Sequence, residues 1–398
     1  MNYKNIPAFT DRFKQNPGGV FRKTKTNMKK WNCTVLVLIL LAGCKDPYDI
    51  ELKPGDVSVL VVDGLLNTGQ GPTSFRLTQA VSLQDAAQIK PVLQATLTVE
   101  NASGTVFPLA ETGNGFYTLA QLPSTPGEQY RLRIKTNSKE YLSDYVDVKS
   151  TPAIDSITWS RGADGLHVYA STHDASNSTR YYKWDFDETW EIRSYYTAQY
   201  EYQGGTNIVF SPNYRYRCWK YGNSTTINLG SSAQLQNDVI SETPIHFIPL
   251  NSEKLGYRYS ILVKQQSLTR EAYQYFQLMK KNTESIGSIF DPQPSELKGN
   301  IRCISDPEEG VIGFLTASDI KEQRIFITAN EASWNYPQSC YTVEVKNHPD
   351  SISLWVPTFL PYSALETAPG VVDKYYFGPA QCVDCTARGG NLNMPSYW

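Results

Sequence analysis

Beyond residue 57, apolar and polar residues alternate in short runs separated by turn-forming residues. Phe75 and Leu77 share a parity, with Arg76 and Thr78 offset by one. Leu97 and Val99 alternate with Thr96, Thr98 and Glu100, and Tyr130, Leu132 and Ile134 with Arg131, Arg133 and Lys135. Successive side chains of a strand point to opposite faces, so this is the pattern of strands buried on one side. The runs are punctuated by Asp63-Gly64, Asn101-Ala102-Ser103-Gly104, Gly113-Asn114-Gly115 and Asn137-Ser138-Lys139, residue types that supply the backbone angles of turns. About seven short strands at such spacing predict an immunoglobulin-like β-sandwich over residues 56–150, ending near Ser150-Thr151-Pro152.

A larger β-rich domain is predicted over residues 151–398. Its stretch 181–221 carries 14 aromatics in 41 residues. Tyr182, Trp184 and Phe186 share one face of a strand, with Lys183, Asp185 and Asp187 on the other. Most of the aromatics are assigned to the core. Trp190, Tyr195 and Trp219 are those expected on the surface, where a ring can stack on a sugar or anchor a partner. One helix interrupts the strands near 269–284. Thr269 can cap it, residues 270–281 contain no glycine, proline or β-branched side chain, and Ala272, Phe276 and Met279 form a core-facing stripe. The fold class is therefore mainly β: an N-terminal immunoglobulin-like sandwich, then a larger β-rich domain with one inserted helix.

Residues 28–43 follow another pattern. Met28-Lys29-Lys30 is a basic start, residues 35–42 are apolar, and Gly43-Cys44 follow. Eight helical residues cover about 12 Å against roughly 30 Å of hydrocarbon, so this run has the proportions of a signal peptide rather than a span. Leu41-Ala42-Gly43-Cys44 resembles the bacterial lipobox, which predicts cleavage before Cys44 and lipidation of its thiol. Two or three acyl chains anchor a protein far more firmly than one. Residues 1–27 have no place in that scheme: either Met28 is the initiator, or they extend the basic region. Residues 44–55 read as a tether. Its Asp46, Asp49 and Glu51 resemble the surface-export signal of Bacteroidota lipoproteins, the plainer reading being a solvated linker on a periplasm-facing protein. The expected location is the outer membrane, lipid-anchored and facing the cell surface.

Charge sharpens the division. The whole chain is −2, but residues 1–43 hold eight Lys/Arg and one acid, leaving 29 basic and 38 acidic residues and a net of −9 in the rest. A body of that sign has no electrostatic footing on nucleic acid.

The sequence contains no nucleophile elbow, P-loop, zinc-protease helix or dinucleotide fingerprint. His167, His173, His246 and His348 are the only histidines, and no carboxylate cluster completes a metal set around them; surface or turn roles are expected, with no metal and no cofactor. Asp185, Asp187 and Glu188 are acids of the kind glycosidases pair, but the polar face of a strand is the simpler account. Asp306-Pro307-Glu308-Glu309-Gly310 reads as an acidic turn. Outside the cytoplasm Cys218, Cys303, Cys340, Cys382 and Cys385 tend to oxidise; five is odd, so one thiol stays free or pairs between molecules. Cys382-Val383-Asp384-Cys385 has redox spacing without a βαβ context, and a disulfide holding the tail is expected rather than a catalytic dithiol.

Several segments together resemble the Bacteroidota lipoproteins grouped as domain of unknown function 4249. They are the lipobox with Cys44-Lys45-Asp46-Pro47-Tyr48-Asp49-Ile50, Leu60-Val61-Val62-Asp63-Gly64-Leu65-Leu66, the run 310–318, and Cys382-Val383-Asp384-Cys385-Thr386-Ala387-Arg388-Gly389-Gly390 with Pro395-Ser396-Tyr397-Trp398. The resemblance spans nearly everything after Met28, and the C-terminal motif is its most specific part. It implies an outer-membrane lipoprotein, often encoded beside a TonB-dependent transporter, with no agreed catalytic residues. By analogy with SusC–SusD pairs, such a protein would sit over the barrel and help capture a nutrient. SusD proteins themselves are helical repeats, so only the role is borrowed.

Three readings follow. The first is a non-enzymatic accessory or ligand-capture partner of a TonB-dependent transporter. The second is a stand-alone glycan- or peptide-binding surface lipoprotein resting on the aromatic belt. The third is a surface hydrolase using Asp185, Asp187 or Glu188.

Overall fold

Strand Leu60–Asn67 pairs antiparallel with Thr73–Gln79, Val62 opposite Leu77 and Gly64 opposite Phe75. The alternation seen in sequence sends Leu60, Val62, Leu66, Phe75 and Leu77 inward to one core with Leu97, Val99, Tyr130, Leu132 and Ile134. Gly64 is required here: its φ is +141° and a Cβ would lie 2.4 Å from the Ser74 carbonyl oxygen. From Thr73–Gln79 the hydrogen-bonded path continues through Phe116–Leu119, Val106–Gly113, Thr96–Asn101 and Gln129–Lys135. It returns through Val146–Lys149 and Ala317–Ser318 to Leu60–Asn67, so this first sandwich closes on itself.

The computed structural model describes residues 59–80, 89–125, 127–212, 214–284 and 297–398. Cys44, the apolar run 35–42 and the tether lie outside them. Among the described residues, no helix is long and apolar enough to cross a membrane.

Three late segments complete the first sandwich although they follow most of the second in sequence. Ile301–Cys303 pairs with Glu140–Ser143, while Val311–Ile312 and Ala317–Ser318 run parallel to Leu60–Asn67. The run 310–315, read from its sequence as part of the second domain, therefore serves the first. Its two-residue strands have no periodicity to reveal a partner 250 positions upstream, and only burial of Val311, Leu315 and Ala317 in the first core fixes them there.

The second sandwich faces a three-stranded sheet (Ile154–Arg161, Gly165–Asp174, Asp238–Pro249) with a five-stranded one. In the latter, Tyr181–Arg193 lies between Arg258–Ser267 on one side and Arg217–Asn223 with Asn228–Ser231 on the other; Lys321–Thr328 forms the far edge. Tyr182, Trp184 and Phe186 point into the core between the sheets, as their shared parity predicts, against Leu166, Val168 and Ile240. The buried Gln265 is accommodated because all its polar atoms are engaged: Trp184 Nε1 donates to it at 2.8 Å, and its amide donates to the Pro152 carbonyl and Thr172 hydroxyl. A third, small sheet (Val343–Lys346, Phe359–Ala368, Val371–Pro379) packs with the hairpin Tyr200–Tyr202/Ile208–Phe210 around Tyr200, Val345, Tyr375 and Phe377.

The helix, α1, spans Arg270–Glu284. The Thr269 hydroxyl accepts from the Ala272 N–H at 3.1 Å, as a capping residue should. Ala272 and Tyr275 are buried, and the helix lies beside the start of Tyr181–Arg193, Tyr273 packing on Tyr181 with ring centroids 4.9 Å apart.

Two disulfides tie down the C-terminal part. Cys218 bonds to Cys385 and Cys340 to Cys382, while Cys303 is a buried free thiol. The redox-spaced pair is thus divided between two bonds, and the odd fifth thiol is the one in the first core.

Candidate functional site

The strand Tyr181–Arg193 carries acids on both faces, and the two faces meet different fates. Lys183, Asp185 and Asp187 share a face with Lys264 and Gln266 of the neighbouring strand, since Lys183 is paired with Gln266 and Asp185 with Lys264. Glu188 has the opposite parity and points into the sandwich with Phe186 and Trp190. The three candidate acids are therefore not one constellation.

Glu188 is buried and held by three groups. The Tyr259 hydroxyl donates to Oε2 at 2.9 Å and the Lys254 ammonium to Oε1 at 2.5 Å. His246 Nε2 stands 3.2 Å from Oε2, within ion-pair reach but without hydrogen-bond geometry. Burial pushes the carboxyl pKa up, yet the contacts from His246 and Lys254 together outweigh it and hold the group below its ordinary value. For Tyr259, burial first and then the adjacent Glu188 charge push the phenol pKa well up. Gly222 makes room for the acid: a Cβ there would lie 2.6 Å from Glu188 Oε1. An acid so fully engaged suits a structural tie across the two sheets better than proton transfer to a substrate.

Asp185 and Asp187 are engaged as well, by Lys183 and by Lys264 respectively, the latter at 2.5 Å. The other histidines also take local partners. His167 lies 3.0 Å from Asp164, His173 2.8 Å from Asp155, and His348 accepts from the Asp350 N–H at the start of a short helix. Glu309 of the acidic turn accepts from the Tyr141 hydroxyl at 2.7 Å and pairs with Lys139. Among the described residues there is no group of three or more His, Cys, Asp or Glu placed to hold a metal ion.

The aromatics expected on the surface need correction. Trp190 and Trp219 are only 8% and 5% exposed, whereas Tyr195 is 53% exposed. Trp190 faces inward, with the Lys254 ammonium 5.1 Å from its ring. Trp219 lies on the outer face of the sheet but is covered by the C-terminal residues. It exchanges two 2.8 Å backbone hydrogen bonds with Asn391, and Trp398 stands edge-on to it at 6.4 Å. Tyr195 packs against Tyr196 instead. The three do not form a common surface.

What the structure does open is a cleft around the loop that joins Arg217–Asn223 to Asn228–Ser231. Here Ser224 breaks from regular pairing, accepting a bond from Phe186 N–H through its hydroxyl and donating its own N–H to the Phe186 carbonyl. One groove, about 550 Å³, runs between this loop, the Asp185–Asp187 face, Asp63 to Leu65 and Phe116 of the first sandwich, and Phe276 and Met279 of α1. A second, about 520 Å³, lies on the loop's other side against His167, His246, Phe247 and the end of α1. Phe186, Asn223, Thr225 and Thr226 border both. Volumes of this size fall in the range of small-molecule sites, roughly 300–1,000 Å³. Phe116, Phe247 and the loop hydroxyls went unnoticed in the sequence; a Ser-Thr-Thr run between two strands was the signal available.

The class defined by these features is a mainly β protein of stacked sandwiches with a polar, ring-bordered cleft between them. Residues 45–324 match the family model described as Domain of unknown function (DUF4249), and the chain belongs to that family. The match ends before the Cys382–Gly390 motif. No curated protein matches the chain. Among solved structures, it is similar to a two-domain fibronectin type-III segment of chicken tenascin (14% identity, 53% of this chain and 90% of that one, TM-score 0.17). It is also similar to the FN1–FN3 domains of chicken CNTN1 (11%, 53% and 62%, TM-score 0.15). A suspected carbohydrate-binding protein of Bacteroides uniformis ATCC 8492 gives 9% identity, 54% and 91% coverage and a TM-score of 0.13. At these TM-scores none of the three carries an argument about this chain.

Proposed function

We propose that this protein is an exported, lipid-anchored, non-enzymatic protein of the outer-membrane surface that captures a ligand for a TonB-dependent transporter. The observation that carries the reading is the pair of disulfides, Cys218–Cys385 and Cys340–Cys382. Such bonds persist in oxidising compartments and are rare in the cytosol. They agree with a leader that ends in Leu41-Ala42-Gly43-Cys44 and with a body of net charge −9. Binding rather than catalysis is supported by the acids: Asp185, Asp187 and Glu188 are each committed to a lysine, and the Ser224 hydroxyl, 3.4 Å from Asp185 in the first groove, meets a carboxylate already paired with Lys183. A stand-alone binding protein is the second reading, favoured by the cleft itself.

The test has two arms. Mass spectrometry of the protein purified from its native membrane is expected to show an acylated Cys44 as the first residue. Affinity purification from gently solubilised membranes is expected to recover a β-barrel transporter. An unacylated Cys44 sinks the anchor; an acylated protein that recovers no barrel leaves the stand-alone reading in place of the transporter one.

A further inference from the structure

The lysines bordering the cleft are all matched. Lys183 pairs with Asp185, Lys264 with Asp187, Lys254 with Glu188 and Lys280 with Glu284. These four lysines cancel four of the five carboxylates in the walls, and the fifth, Asp63, is exposed and faces no lysine among the described residues, so an anionic ligand gains no free cation there and would have to break a pair. What the cleft leaves open to a ligand is of another kind. Phe247 and Phe116 are 43% and 40% exposed, one in each groove. Beside Phe247 the His167 imidazole lies at 4.7 Å between centroids, widening the ring surface, and Asp164 holds that imidazole in place. Between the two grooves the exposed side chains of Asn223, Thr225 and Thr226 present an amide and two hydroxyls.

Flat apolar rings flanking a ridge of neutral hydrogen-bonding groups match a molecule with alternating C–H faces and hydroxyl edges. A peptide would gain most from a free strand edge, whose main-chain groups supply affinity. At this cleft the strand of Phe186 is closed by its bonds with Ser224, and the edge strand lining the second groove, Asp238–Pro249, carries Pro244 there, which has no main-chain N–H to give. We propose that the cleft binds an uncharged oligosaccharide laid across the Asn223–Thr226 loop, stacking on Phe247 and His167 on one side and on Phe116 on the other. This rests on the capture reading above and specifies its ligand.

The test is calorimetric titration of the mature protein with neutral malto-, cello-, manno- and xylo-oligosaccharides, with oligogalacturonate and a mixed peptide pool as comparators. At least one neutral series is expected to bind, with an affinity unchanged between low and high salt, since screening acts on charges. F247A and F116A, both at solvent-facing positions, are each expected to weaken it about five- to tenfold, the worth of one ring contact. T226V is expected to weaken it while leaving unfolding by urea unaltered. The proposal is overturned if no neutral series binds, if only oligogalacturonate or peptide binds, or if the F116A/F247A double variant binds as the parent does. The same double variant should still recover the barrel from membranes. A recovered barrel without glycan binding removes this proposal alone, and glycan binding without a barrel removes the transporter alone.

Discussion

Replacing Glu188 by leucine takes away the acceptor shared by Tyr259, Lys254 and His246, and the cost can be built from what each is left with. The Tyr259 hydroxyl is fully enclosed and loses its partner at 2.9 Å, which costs about 1–3 kcal/mol. Lys254 keeps a quarter of its side chain exposed, so its ammonium can turn to water, and its loss is small. The total is about 2–4 kcal/mol, at or below the roughly 3–5 kcal/mol of breaking a wholly buried pair. Glutamine, which retains one acceptor oxygen, should cost about 1–2 kcal/mol. The assay is urea unfolding followed by tryptophan fluorescence, for which Trp190, two residues away on the same face, is a local reporter. The pH dependence has a definite sign. The folded protein holds Glu188 below its ordinary 4.5, so the stabilisation is whole above that value and is lost as the pH falls through the lower folded value. The gap between parent and variant should therefore close in acid. A leucine variant as stable as the parent at neutral pH, or a gap that widens as the pH falls below 4.5, refutes the account.

Two further outcomes follow from the C-terminal part. Removing Cys218–Cys385, which spans 167 positions, should destabilise more than removing Cys340–Cys382, which spans 42: about 5 against about 4 kcal/mol in the chain-entropy account. Paired Cys→Ala variants in urea would show it, and an unmoved midpoint for both would refute it. W398A should cost about 1–2 kcal/mol, because its ring is only half-buried, beside Trp219, Phe326 and the Arg258 guanidinium. Acrylamide quenching should at the same time reach Trp219, and unaltered quenching would mean that the tail does not cover it.

The first sandwich was legible because its evidence is local. Phe75 and Leu77, Leu97 and Val99, and Tyr130, Leu132 and Ile134 reveal their inward face within a few residues, and all are buried. The helix was legible for the same reason, with its cap beside its apolar residues, but of the expected stripe only Ala272 is buried, with Tyr275, while Phe276 and Met279 line the groove. Trp219 was misjudged because the residues covering it lie more than 170 positions downstream, and parity says which face a ring takes but not whether that face is covered. The split of Cys382 and Cys385 between two partners is likewise tertiary: three-residue spacing permits a direct bond, yet Cys385 bonds Cys218 of a strand 167 positions upstream and Cys382 bonds Cys340 of a loop 42 positions upstream.

Glu188 shows how far parity could have gone. It shares parity with Tyr182, Trp184 and Phe186, so the rule that set those rings in the core also set the acid there, apart from Asp185 and Asp187. Following that division along the strand explains the cleft. The inner face is closed by the opposing sheet. The outer face is covered at one end by the C-terminal residues, where the Thr189 hydroxyl meets that of Tyr397 at 2.7 Å, and at the other by α1, where Lys183 lies over Phe276. Between those covers Asp185 and Asp187 face the groove, each already neutralised by a lysine. A strand whose every other position is sealed by distant parts of the chain leaves its polar middle as the place a ligand can approach, and the pairing of its lysines leaves no free cation there for an anionic one.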